Sequence, residues 1–228
     1  MGKNDNGNNG RTELVFVVDR SGSMGGLESD TIGGFNSMLS KQRTIAGECR
    51  VTTLLFDHRI ETLHNHLDIR EVNDLTSRDY WVRGSTALLD AIGLAIDRMI
   101  VTQRHTAAAY RAQHVLFVII TDGYENAGRR YSLHQIKQMI TYERERYHWE
   151  FVFLGANIDA EQTAGDFGIS PRCATDFHAD GQGIKASFEA VACAATAVRG
   201  GADLDDLSAP DFLGGVRDDY RSRRRMKR

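Results

Sequence analysis

Leu14-Val15-Phe16-Val17-Val18-Asp19-Arg20-Ser21-Gly22-Ser23 decides how this chain is read. A short apolar run that stops abruptly in a polar, glycine-containing loop is the pattern of a strand buried on both faces, as in a parallel sheet. The loop sets a carboxylate and two hydroxyls at alternate residues, Asp19, Ser21 and Ser23. Such an oxygen-lined cup suits a hard divalent cation like Mg²⁺, which takes octahedral oxygen ligands and keeps several waters. On this stretch alone a plainer reading stays open, because Asp and Ser also serve as turn and helix-cap residues.

Outward from that loop, strands and helices alternate. Leu27 to about Ile45 carries Ile32, Phe35, Met38 and Leu39 at helical spacing. Residues 50–57 and 59–67 read as two strands of a hairpin, and Thr86 opens a long helix with apolar positions from Leu89 to Ile100. Val115–Ile120 is a second buried strand stopping at Thr121-Asp122-Gly123. Ser132 caps a helix to Tyr147, residues 151–154 form a strand, and Asp159 caps a short helix. An edge strand at 174–177 and a final helix at 182–198 complete the pattern. Alternation of this kind implies right-handed crossovers and a sheet covered on both sides. The expected fold is α/β, a doubly wound, Rossmann-like three-layer sandwich whose mainly parallel six-stranded sheet has one antiparallel edge strand. Residues 1–11 are expected to be a disordered Asn/Gly-rich segment, 12–198 the folded domain, and 199–228 a polar extension with a basic tail.

Composition narrows the function. The net charge is −3, and the six basic residues within 221–228 leave the preceding 220 residues at −9. An acidic body argues against nucleic-acid binding by the folded domain. Cys49, Cys173 and Cys193 are scattered and odd in number, which favours neither a disulfide scaffold nor a cysteine zinc site. The start lacks an apolar signal region, and the longest apolar run is too short to span a bilayer. The expected location is the cytoplasm, without membrane residence.

In an open α/β sheet, ligands bind beyond the carboxyl ends of the strands. Asp19 and Asp122 each follow a buried strand, and Thr86 begins the connecting helix, so three loops converge with the side chains of Asp19, Ser21, Ser23, Thr86 and Asp122. Asp-x-Ser-Gly-Ser, the Thr of Gly84-Ser85-Thr86-Ala87, and Thr121-Asp122-Gly123 resemble the three parts of the metal-ion-dependent adhesion site (MIDAS) of von Willebrand factor A domains. The resemblance covers roughly residues 12–198. Residues 27–36 and 153–159 are similar to stand-alone bacterial A-domain proteins. The resemblance implies Mg²⁺, or Mn²⁺ or Ca²⁺, held directly by Ser21, Ser23 and Thr86, with Asp19 and Asp122 acting mostly through waters. It also implies an open coordination position for an Asp or Glu of a partner protein, so the expected function is metal-dependent protein binding rather than catalysis. An AAA+ ATPase is the family-level expectation for that partner.

Other signals carry less. A haloacid-dehalogenase-type phosphatase needs a second Asp where Ser21 stands, and no GxxxxGK[ST] phosphate loop exists. A metal-dependent phosphoesterase remains the alternative enzyme reading, with Glu125 as the one base placed for it. Gly181-Gln182-Gly183-Ile184-Lys185-Ala186 matches GxGxxA but reads as a helix-entry turn. His64-x-His66 places two imidazoles on one strand face, read as a solvated face. Arg20, Met24, Arg83, Tyr124, Glu125 and Asn126 are candidates for the rim of the metal site. The tail 221–228 reads as a solvated, disordered terminus. The competing view makes the metal structural and the tail an RNA- or anion-binding element.

Overall fold

The apolar run becomes β1 (Thr12–Asp19), buried along its whole length, in a computed structural model that describes residues 10–226. After it come α1 (Glu28–Arg43), β2 (Cys49–Phe56), β3 (Ile60–Asp68), α2 (Leu88–His105) and β4 (His114–Thr121). α3 (Leu133–Tyr147), β5 (Glu150–Gly155), α4 (Ala160–Asp166), β6 (Ala174–Asp176), α5 (Gly181–Arg199) and α6 (Gly214–Met226) complete the order. The sheet runs β3-β2-β1-β4-β5-β6. Every pairing is parallel except β2 with β3. The expected six-stranded doubly wound sheet with one antiparallel edge therefore forms.

α1 and α5 pair on one face, where the Phe35 ring meets Phe16 at 5.2 Å and Phe188 at 6.2 Å. α2 and α3 pair with each other and α2 also packs on β1 and β2. β1 and β4, flanked by strands on both sides and covered by helices, are apolar from Leu14 to Val18 and from Val115 to Ile120, because neither face meets water there. Local signals set the helix starts. Ser132 and Gln135 form a reciprocal capping box at α3, while Asp159 and Asp180 accept backbone N–H groups at the starts of α4 and α5.

Three details differ from the expectation. α2 begins two residues after Thr86, because Ala87, at φ −98 and ψ 60, is not helical; the N–H of Thr86 goes to Asn126 and that of Ala87 to the Asp57 carbonyl. Arg11, assigned to the disordered segment, pairs with Glu48 and lies over the Tyr110 ring; residues 1–9 lie outside the described residues. The tail from 221, expected to be a solvated, disordered terminus, is helical as far as Met226, as the end of α6, and α6 packs on α5 and β6. Arg217 explains the docking: it donates to the carbonyls of Pro171, Arg172 and Ala174 and pairs with Asp211 at 2.7 Å. Arg223 bridges Asp180 and Asp219. Arg221, Arg224 and Arg225 stay exposed, whereas Lys227 and Arg228 lie outside the described residues. Among the described residues no helix is long and apolar enough to cross a membrane.

Candidate metal centre

β1 and β4 lie side by side at the centre of the sheet, so the loops leaving their carboxyl ends emerge together. Asp19, fully buried, organises both loops. Its Oδ1 accepts the Ser21 N–H at 2.7 Å, and its Oδ2 accepts the Thr121 hydroxyl at 2.7 Å and the Asp122 N–H at 3.4 Å. Its carbonyl accepts the hydroxyl of buried Tyr80 at 2.6 Å. The third loop joins through Gly22, whose N–H donates to the Gly84 carbonyl at 3.0 Å. Gly84 has φ +66, and a Cβ there would strike His58 Nδ1 at 2.1 Å, so this turn favours glycine.

The hydroxyls converge. Ser21 Oγ and Ser23 Oγ are 3.0 Å apart. Adjacent oxygens of an octahedron with metal–oxygen bonds of about 2.1 Å are about 3.0 Å apart, so the pair fits one octahedral edge. A Cβ on Gly123 would lie 3.6 Å from Thr86 Oγ1 and 3.7 Å from Ser23 Oγ, which brings residues of all three loops to one small cradle. Among the described residues no group of three or more His, Cys, Asp or Glu is arranged to hold a metal. A cation here would therefore depend on hydroxyls, and the donor set suits a hard ion rather than a soft one.

Burial shapes the two carboxylates. It raises the Asp19 carboxyl above its ordinary range against the opposing hydrogen bonds of Ser21, Thr121 and Asp122. Asp122 is pushed up to about 6, first by burial and then by the Asp19 charge, with a hydrogen bond from Asn157 Nδ2 opposing. A nearby cation would relieve both costs by favouring the charged forms.

The rim differs from expectation in several places. Arg20 is fully buried and pairs with Asp57 at 3.1 Å and Glu61 at 2.7 Å, and Met24 is buried too. Both side chains point into the fold because Arg20 has carboxylate partners there and Met24 joins the core. Glu125 is a loop organiser: its carboxylate accepts the N–H groups of Leu89, Ala127 and Gly128. Asn126 accepts the Thr86 N–H at 2.7 Å and donates its own N–H to the Thr86 carbonyl at 3.0 Å. Tyr124 does stand at the surface, 58 % exposed, its hydroxyl accepting the Asp159 N–H. Arg83 is half-buried on Asp57 at 2.8 Å, and stacks on Trp81.

Two contributors escaped the sequence reading, Asn157 and Asp57. Asn157 follows the end of β5 as Asp122 follows β4, a positional signal that was available. Asp57 sits in the hairpin turn, where nothing in the pattern marks it. His64 and His66 do not share a solvated face: His64 is buried against Thr53 and near Phe35, while His66, at φ 55, meets Glu13 at 2.7 Å. The register shifts between β2 and β3 break the alternation that would have aligned them.

Solved structures with this fold include proximal thread matrix protein 1 of the mussel byssus with a zinc-occupied MIDAS motif. It is 15% identical, with a TM-score of 0.58 over 82% of this chain and 46% of that one. Manganese-loaded TRAP protein of Plasmodium vivax is 15% identical, TM-score 0.52, over 78% and 72% of the two chains. A von Willebrand factor type A protein of Catenulispora acidiphila is 10% identical, TM-score 0.53, over 80% and 42%. The chain has the von Willebrand factor A fold. It spans less than half the length of the mussel and Catenulispora chains it matches. No family model matches the sequence, and no curated protein does.

Proposed function

We propose that this protein is a metal-dependent protein-binding module, in which Ser21, Ser23 and Thr86 hold a divalent cation directly and Asp19 and Asp122 support it through waters. The observation that carries the reading is the 3.0 Å Ser21–Ser23 oxygen pair facing the cradle that Thr86 and Gly123 close. Neutral hydroxyl ligands leave the bound ion much of its charge, and that charge attracts a carboxylate from a partner. An Asp or Glu side chain of another protein is the expected incoming group, and an AAA+ ATPase is one partner class to test. Mg²⁺ is the proposed ion, with Mn²⁺ or Ca²⁺ as substitutes, and the cytoplasm the proposed location.

The phosphoesterase alternative loses support because Glu125, its one placed base, is occupied by three backbone N–H groups. The tail-centred alternative draws on fewer free charges than the sequence offers, because Arg223 is spent on Asp180 and Asp219 while Arg221, Arg224 and Arg225 stay exposed. The test is calorimetric titration with Mg²⁺ and Mn²⁺ of the wild type, Ser21→Ala and Thr86→Ala, followed by partner capture with and without EDTA. Saturable uptake that both substitutions abolish, with capture lost alongside, is expected. Equal capture in all samples would sink the proposal.

A further inference from the structure

Asp57, in the turn between β2 and β3, is fully buried, and both the loop of Arg20 and the loop of Arg83 are tied to it. One oxygen of its carboxylate, Oδ2, accepts from Arg20 Nε at 3.1 Å and from Arg83 Nε at 2.8 Å. The other, Oδ1, accepts the Arg59 N–H at 2.7 Å and lies 3.0 Å from His58 Nδ1. Its carbonyl accepts the Ala87 N–H at 2.9 Å. Arg20 sits between the ligands Asp19 and Ser21, and its N–H donates to the Phe56 carbonyl at 2.7 Å. Arg83 N–H donates to the Arg20 carbonyl at 2.9 Å.

The arrangement brackets Thr86. The loop 83–87 is held at Arg83 by its guanidinium and at Ala87 by its N–H, both on residue 57. Between these two anchors lie Gly84, at φ +66, and the ligand Thr86. Arg20 and Arg83 both lie beside the Trp81 ring, at 5.5 and 4.3 Å, so neither guanidinium is free to swing without disturbing the other. Burial alone would raise the Asp57 carboxyl, but the hydrogen bonds from Arg83 and Arg59 and the charges of Arg83 and Arg20 hold it below the usual range. Neutral hydroxyls grip a cation weakly, so affinity at such a centre depends on holding every ligand in place beforehand.

We propose that Asp57 is a positioning residue of the metal centre, fixing the Thr86 loop against the Ser21–Ser23 loop through Arg83 and Arg20. The inference rests on the metal-binding reading above. It assigns a role in metal affinity to a carboxylate that is not itself a ligand.

The test uses Mn²⁺ as probe on the full chain, reading its dissociation constant by calorimetry and the melting temperature in EDTA separately. Arg83→Met and Asp57→Asn are expected to weaken Mn²⁺ at least tenfold, with Arg83→Lys intermediate. Should Asp57→Asn fail to fold, the half-buried Arg83 pair carries the test alone. Lowered melting in EDTA with Mn²⁺ affinity within twofold of wild type would overturn the proposal and leave the network a scaffold only. A wild type that binds no Mn²⁺ would overturn the metal-binding reading first, before any variant is compared.

Discussion

Asn126 and Thr86 hold each other twice: the Asn126 side-chain oxygen accepts the Thr86 N–H, and the Asn126 N–H donates to the Thr86 carbonyl. The pair ties the loop after β4 to the loop before α2. Supporting residues of a metal site commonly change affinity by about tenfold or more when removed. Asn126→Ala should therefore weaken Mn²⁺ binding about tenfold and cost ~1 kcal/mol of stability. Calorimetry and urea unfolding read the two effects, and an unchanged dissociation constant would refute the first.

Glu150, at the start of β5, is pushed up to about 7 by burial and by the nearby Asp203 charge. A carboxyl whose folded value is raised binds its proton more tightly in the folded state. Its cost to the fold is absent below the ordinary Glu range, grows as pH climbs to about 7, and stays constant above that. Glu150→Gln should match wild type near pH 4 and be more stable at pH 8 by roughly 1 kcal/mol after solvent screening. Thermal melts at the two pH values decide; equal stability at pH 8 contradicts the assignment.

The three thiols should separate by reactivity. Cys49 and Cys173 are buried and Cys193 is exposed. Burial pushes the Cys49 thiol up to about 12 and raises Cys173 as well. Thiolates are the reactive form. Native protein should titrate one fast thiol with an aromatic disulfide reagent, and unfolded protein three. More than one fast thiol in the native state would show that the sheet opens near Cys49 or Cys173.

Arg217→Ala should destabilise the fold by ~2 kcal/mol, because three carbonyls lose a charged donor and Asp211 loses its partner. Urea unfolding measures the loss. A change below ~0.5 kcal/mol would mean that α6 docks without this arginine.

The sheet was legible because apolar runs at Leu14 and Val115 end on Asp-containing loops, and because a buried parallel strand leaves little freedom in composition. The capping residues Ser132 and Asp159 were legible for the same local reason: their oxygens satisfy helix N–H groups within three residues. The convergence of Asp19, Thr86 and Asp122 follows from their places at two strand ends and a helix start, and the three loops do meet. What failed to show was anything decided across long separations. Arg20 reads as a rim residue of the metal site until Asp57 arrives beneath it, and Arg217 reads as part of a polar extension until the carbonyls beside β6 present themselves. His64 and His66 defeat simple alternation because the hairpin register slips between them.

The short β6 strand has a consequence for how another protein can be recognised. α6 packs against it, and one of its carbonyls is already taken by Arg217. At the opposite end of the sheet, β3 is interrupted by register shifts and by the left-handed backbone of His66. Neither border offers a long flat ladder for an incoming chain to extend. Strand addition is thus disfavoured as a mode of association, and a peptide would be met by side chains and loops at the crest of the sheet. Specificity would then lie in short-range chemistry at that crest, with backbone pairing contributing little.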